Sequence, residues 1–169
     1  MSLQKTLSII ENKFPHVYSW LMKLSIEYLV PANRRMGIKI ESMIPGNQTI
    51  ILRLPYRRKN FNVGGTVHGS AIMALAETVH GVAVLTRFKP DNHFMFTKEI
   101  NLKYLKKATS ELFVRFNLGQ QILSKIENEL NAHGIFELEL ESTVTDTSEA
   151  SIAQLKAVYH IKRKSHKTS

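Results

Sequence analysis

Near the N-terminus apolar residues recur at helical spacing, with Leu3, Leu7, Ile10 and Phe14 followed by Val17, Trp20, Leu21, Leu24 and Tyr28. This periodicity predicts helices, broken at Pro15 and stopped at Pro31, because proline lacks the N–H that a helix interior needs. The pattern then changes to period two. Met36, Ile38, Ile40 and Ile44 alternate with Lys39, Glu41 and Met43, and Pro45-Gly46-Asn47 turns the chain into Ile50, Leu52 and Leu54. That is the pattern of a hairpin. A polar, glycine-bearing segment over 57–66 leads into Ser70 to Leu85, a stretch rich in Ala and Leu and nearly devoid of polar residues. Such a segment predicts a central helix enclosed by other structure on all sides. Gly81 within it weakens the helix by roughly 1 kcal/mol relative to Ala, a cost carried for close packing or ligand access.

Period two returns four times, through Phe94 to Tyr104, Leu112 to Leu118, Phe136 to Val144 and Leu155 to Ile161. The run from Ile135 to Asp146 is the cleanest, with Glu137, Glu139 and Glu141 facing out and Phe136, Leu138 and Leu140 facing in. Between the second and third of these strands, Ile122, Ile126 and Leu130 lie four apart on a short helix closed by Gly134, a peripheral insertion. The order of elements implies an α+β plan in which one antiparallel sheet curls over one central helix. No internal repeat or interdomain linker interrupts it. A sheet covered by one helix leaves a face and two edges in need of partners, so association into homo-oligomers is expected.

Composition narrows the classes. The chain has 169 residues, 43% hydrophobic and 22% charged, enough to bury one core. It contains no cysteine, which removes disulfides, thiolate nucleophiles and Cys-based metal sites, and no metal site is expected. The longest apolar run, Ala71 to Ala76, is short for a bilayer span, and no basic-then-apolar leader opens the chain. The expectation is a soluble, cytoplasmic protein without stable membrane insertion. The formal charge of +9 is unevenly placed: residues 31–60 hold seven basic and one acidic side chain, whereas residues 108–155 hold two and eight. The tail His160 to Lys167 reads as a solvated end. With no aromatic-and-glycine RNA motif, metal finger or recognition helix, charge alone would have to support nucleic-acid binding, which is not expected.

The segment that carries chemistry is Asn62-Val63-Gly64-Gly65-Thr66-Val67-His68-Gly69-Ser70, with Glu77 seven residues further on. A glycine-rich turn entering a helix presents free backbone N–H groups, notably that of Gly69, to a bound oxygen at the positive helix end. Glu77 is a carboxylate on an apolar helix, where it must find partners or raise its pKa. The residues leave three outcomes open: a salt bridge to the sheet, an exit to solvent at the helix edge, or catalysis. His80 reads as a satisfied core or surface histidine, and His68 as a hydrogen-bonding residue of the turn. The Arg57-Arg58-Lys59 cluster adjoins the glycine-rich segment, where it either stays solvated or meets a phosphate.

The motif Asn-x-x-Gly-Thr-x-His-Gly-small, followed by Ala-Leu-Ala and an acid, resembles the hotdog-fold thioesterases of the phenylacetate-degradation type, including small acyl-CoA thioesterases and an uncharacterised bacterial branch. The stretch Phe96 to Tyr104 is similar to the strand that follows the central helix in that family. The resemblance implies an N-terminal helical segment at 1–33, a hotdog domain at 34–162 and a basic tail at 163–169. It places Glu77 where the family has its catalytic carboxylate, acting on water or directly on a thioester carbonyl. Asn62 matches an asparagine that orients carbonyl or water, Gly69 the glycine whose N–H polarises the carbonyl, His68 the turn histidine and Thr97 a hydroxyl near the attacking water. Ser70 stands where a second glycine is usual. In the family, the site lies at a dimer interface with its parts supplied by different subunits.

The implied substrate is an acyl-CoA or other acyl thioester, hydrolysed without a cofactor by a homodimer or a dimer of dimers. The acyl chain is expected to run along an apolar tunnel near Met73, Leu75 and Val79, with Gly65 and Ser70 also binding substrate, and Arg57, Arg58 or the basic group at 103–107 to meet CoA phosphates. Strict alternation puts Thr97 on the face of Glu99, Asn101 and Lys103, so it reaches the site only through a bend or bulge. Two rival readings are a non-catalytic acyl-CoA-binding protein and a hydroxyacyl-thioester dehydratase, although the His-Phe-Pro setting of the latter is missing.

Overall fold

In the computed structural model, residues 10, 13–43, 49–87 and 93–164 are described. Leu3 and Leu7, the turn at Pro45-Gly46-Asn47 and the end of the basic tail lie outside them. Helix α1 spans Pro15–Leu24, with proline in its first turn, where the missing N–H costs nothing. It runs on into a wider π-helical turn, Ser25–Leu29. Pro31 does not stop the helical region, as its sequence suggested; extended backbone at Val30 lets it open a new short helix, α2, Pro31–Met36. Met36 therefore belongs to a helix, and the first strand begins only at Lys39.

Strands β1 (Lys39–Met43) and β2 (Thr49–Leu54) form the expected antiparallel pair, with an irregularity between Ile40 and Ser42. The central helix α3 spans Gly69–Arg87. Then follow β3 (His93–Tyr104), β4 (Leu112–Asn117), helix α4 (Gln120–His133), β5 (Ile135–Asp146) and β6 (Ser151–Arg163). Gly134 closes α4 with left-handed backbone, φ 69°, its N–H donating to the Leu130 carbonyl. The six strands make one antiparallel sheet in the order β1-β2-β4-β5-β6-β3, so β1 and β3 are its edges. This is the curved sheet around a helix that defines the hotdog fold.

The core lies between α3 and the concave sheet face. Ala71, Ile72, Leu75, Ala76, Val79, Val82 and Ala83 are buried there, against inward-facing Leu52, Val114, Leu140 and Leu155. On β5 the expected alternation holds, and its outward glutamates meet lysines, Glu139 with Lys156 on adjacent β6 and Glu137 with Lys98 across β6 on β3. The helix is not enclosed all round. Ser70, Ala74, Glu77, Gly81 and Leu85, spaced three or four apart, form a stripe that is exposed or only half-buried within this chain. Gly69–Thr86 is long and apolar enough to cross a bilayer by composition alone, yet it serves here as the core helix of the sheet.

Candidate active site

The loop before α3 is built by Asn62. Its Oδ1 accepts from the N–H groups of Gly64 (2.9 Å) and Thr66 (3.2 Å), while its Nδ2 donates to Thr66 Oγ1 (2.9 Å). Asn62 thus spends its amide on the turn. Gly65 adopts left-handed backbone, and its carbonyl accepts from the Tyr56 hydroxyl at 3.1 Å. Asn60, a residue with no motif to mark it, fixes the entry from below. It is buried, its Nδ2 donates to the Met36 carbonyl at 2.8 Å, and its own carbonyl accepts from the His68 N–H at 2.7 Å.

His68 caps the helix. Its Nδ1 accepts from the Ser70 N–H at 3.1 Å and shares a proton with Ser70 Oγ at 2.7 Å, which satisfies one of the free donors of the first turn. The N–H of Gly69 has no acceptor among the described residues. A side chain at 69 would displace Tyr104, because its Cβ would lie only 2.5 Å from the Tyr104 hydroxyl. Tyr104, half-exposed at the end of β3, therefore roofs the helix entry.

Glu77 sits two turns along α3, half-buried on the open stripe. It accepts a hydrogen bond from Thr97 Oγ1 at 2.6 Å, and no cation pairs with it among the described residues. The open question about this carboxylate thus resolves into a half-sheltered acid held by one hydroxyl. Thr97 reaches it through a bulge. Thr97 pairs with Tyr159 on β6 and Glu99 pairs with Val158, so Lys98 is an extra residue that switches the alternation. The bulge places Thr97 on the same inward face as Ile100 and Leu102. One turn beyond Glu77, the position a Cβ would take at Gly81 has no atom within 4 Å. Within one chain, Gly81 leaves room beside the acid.

Behind this pair lies a polar contact that pattern reasoning missed. His80, fully buried three residues after Glu77, meets the Tyr159 hydroxyl through Nδ1 at 2.9 Å and rests its ring on Phe116 at 4.6 Å. Burial drives the His80 pKa down to about 4, with the Glu141 carbonyl pulling the other way. Burial, and then the charge of Glu77, push the Tyr159 hydroxyl well above the ordinary phenol range. At neutral pH both are uncharged and share one proton. The only sequence signal for Tyr159 was its inward position on the last strand.

Of the expected tunnel residues, Met73 lies half-buried on α3 close to the stripe, whereas Leu75 and Val79 are 0% exposed, turned into the core against the sheet, and line no opening among the described residues. Arg57 Nη1 and Lys59 Nζ both come within 3.6 Å of the Cβ position at Gly37, so the basic cluster gathers at the end of α2, with Arg58 beside it in a short 3-10 turn. Gly69 and Glu77 are eight residues apart on one helix, about 12 Å. One chain therefore brings Glu77, Thr97, Tyr159 and His80 together, and places His68, Gly69 and Ser70 elsewhere. No three His, Asp or Glu side chains converge as a metal site among the described residues.

Residues 18–161 match a family defined as a domain of unknown function, DUF4442, and the chain belongs to that family. No protein of curated function matches the chain. Among solved structures, protein PA5026 of Pseudomonas aeruginosa, of unknown function and described as a probable thioesterase, is similar at 25% identity and a TM-score of 0.80, over 86% of this chain and 95% of that one. The thioesterase HI1161 of Haemophilus influenzae is similar at 18% identity and a TM-score of 0.63, over 88% and 92%. A thioesterase mutant of Staphylococcus aureus, SAV0944, is similar at 14% and 0.57, over 76% and 96%. The chain accordingly has the hotdog fold of the thioesterase superfamily.

Proposed function

We propose that the protein is a thioester hydrolase acting on acyl-CoA, with Glu77 as its base. The observation that carries this reading is a half-buried carboxylate held by a single hydroxyl, beside open space at Gly81. In the base route, Glu77 takes a proton from water as the water oxygen bonds to the thioester carbon. The resulting oxyanion is met by the Gly69 N–H at a helix N-terminus. Collapse breaks the C–S bond, and the thiolate leaves with the proton that Glu77 held, yielding free acid and thiol. Thr97 orients the carboxylate, and Tyr159 with His80 backs it.

The separation of about 12 Å along α3 means that one carbonyl cannot meet both Gly69 and Glu77 of one chain. The reading therefore requires a homodimer in which the Asn62–Ser70 turn of one subunit faces Glu77 of the other. Edge strand β3 supports this, since Phe94 and Phe96 stand exposed along it. Met73 and the open stripe would receive the acyl chain, while Arg57, Arg58 and Lys59 would meet CoA phosphates; the setting is the cytoplasm.

The test is hydrolysis of acyl-CoA esters of graded length, followed with a thiol-detecting reagent, beside Glu77→Gln. Turnover by the wild type and its loss in the variant support the proposal. Equal turnover in both overturns it, and tight binding without turnover across the series assigns the fold a binding role.

A further inference from the structure

The N-terminal corner carries large apolar side chains that the core leaves uncovered. Along α1 and the following turn, Met22 packs on the core and Ile26 is buried, yet Val17, Trp20, Leu29 and Val30 are 48%, 59%, 77% and 42% exposed. Val17, Trp20 and Leu24 are spaced three and four apart within α1 and so share one helix face. An outward stripe of this kind on a helix is unusual for a surface that meets only water.

Charge defines what the corner fits. Residues 13–36 contain four basic side chains, Lys13, Lys23, Arg34 and Arg35, and one acid, Glu27. That acid is withdrawn into the protein, 5% exposed and paired with Lys39 at 2.7 Å. Arg34 and Arg35 are exposed and have no ion pair among the described residues. Arg57 and Lys59, gathered over Gly37, extend the positive rim past the end of α2. The outer face of β5 and β6 differs, because there lysines and glutamates neutralise one another.

Apolar anchors beside exposed, unpaired arginines match the two attractions of a phospholipid interface, acyl-region burial and anionic headgroups. Tryptophan is suited to that boundary. A second copy of the same corner would bring like charges together, and a nucleic acid offers nothing to Val17, Leu29 and Val30. We propose that this corner, through Val17, Trp20, Leu29 and Val30 framed by Arg34 and Arg35, docks reversibly on an anionic phospholipid bilayer. The proposal is independent of the thioesterase reading.

The chain contains a single tryptophan, so Trp20 reports directly on the face in question. The full-length protein is titrated with phosphatidylcholine vesicles and with vesicles containing phosphatidylglycerol. The expected result is a blue shift of Trp20 emission, and quenching by brominated acyl chains, with anionic vesicles only. Raising salt to about 1 M shortens the screening length to about 3 Å and should reverse it. Arg34→Glu with Arg35→Glu should weaken partitioning by about tenfold or more. Leu29→Glu with Val30→Glu should remove the quenching while circular dichroism and Tm stay as in the wild type. An unchanged spectrum overturns the proposal, as does an equal response to neutral vesicles. It is also overturned if Leu29→Glu with Val30→Glu splits an oligomer on size exclusion and red-shifts Trp20 without lipid, or if DNA but not vesicles shifts the emission.

Discussion

Two carboxylates on helices, Glu27 and Glu77, have opposite fates. Glu27 is 5% exposed, and both its oxygens are taken, by Lys39 Nζ at 2.7 Å and by the backbone N–H of Ile40 at 2.8 Å. It ties the N-terminal helical segment to edge strand β1. The same ammonium lies over the Tyr28 ring, and its pKa is raised, chiefly by the Glu27 hydrogen bond and next by Tyr28. Glu77 is less buried and, among the described residues, holds only the Thr97 hydroxyl, with space beside it. A carboxylate with a full complement of donors stabilises a fold, whereas one with spare lone pairs is free to take a proton. Burial alone does not mark the working acid.

The strongest way to break this comparison is to exchange the expected losses. Glu77→Gln should lower turnover of acyl-CoA by about 100- to 10,000-fold at constant Tm, measured by thiol release and calorimetry. Glu27→Ala should do the reverse. It strands Lys39 and the Ile40 N–H, and should cost about 3–4 kcal/mol in urea denaturation, less than the upper limit for a buried pair because Lys39 is partly solvated. Turnover per folded molecule should hold. If Glu27→Ala abolishes turnover in folded protein, or Glu77→Gln unfolds the chain, the division of labour is wrong.

The His80–Tyr159 pair adds a pH test. The folded-state pKa of His80, about 4, lies below its ordinary value of 6.5, so the unfolded chain binds the extra proton between these values. The stability contributed by neutral His80 is complete above pH 6.5 and is lost as pH falls toward 4, about 3 kcal/mol over the window. Denaturation at pH 7 and 4.5 should show this loss, and His80→Phe should flatten it. Smaller still, Thr97→Val should cut turnover by about tenfold through a freer Glu77 carboxylate, with Thr97→Ser restoring most of it. A Thr97→Val enzyme as fast as the wild type would remove Thr97 from the site.

Much of the architecture was legible because alternation and helical spacing report burial directly. Ile135 to Asp146 reads as a half-buried strand, Ser70 to Leu85 as the core helix and Gly134 as a helix end, and each stands so in the fold. The N-terminal boundaries were less legible. Pro31 is equally at home after one helix and at the start of another, and local sequence does not decide between them. Within the site, Glu77 stood out as a charge on an apolar helix. Asn60 and Tyr159 did not, because a buried amide or hydroxyl is recognisable only by the distant backbone or ring that it meets.

The chain's own residue order was enough to determine the six strands and the core helix, a glycine at that helix's entry and an acid two turns beyond it. Only the tertiary structure decided which acid is locked and which is spare, and which face Thr97 presents. These depend on the Thr97–Tyr159 register, the extra residue at Lys98 and the approach of Lys39 to Glu27. Periodicity is a property of neighbours in sequence, whereas register and pairing arise between segments that meet only when the chain closes on itself.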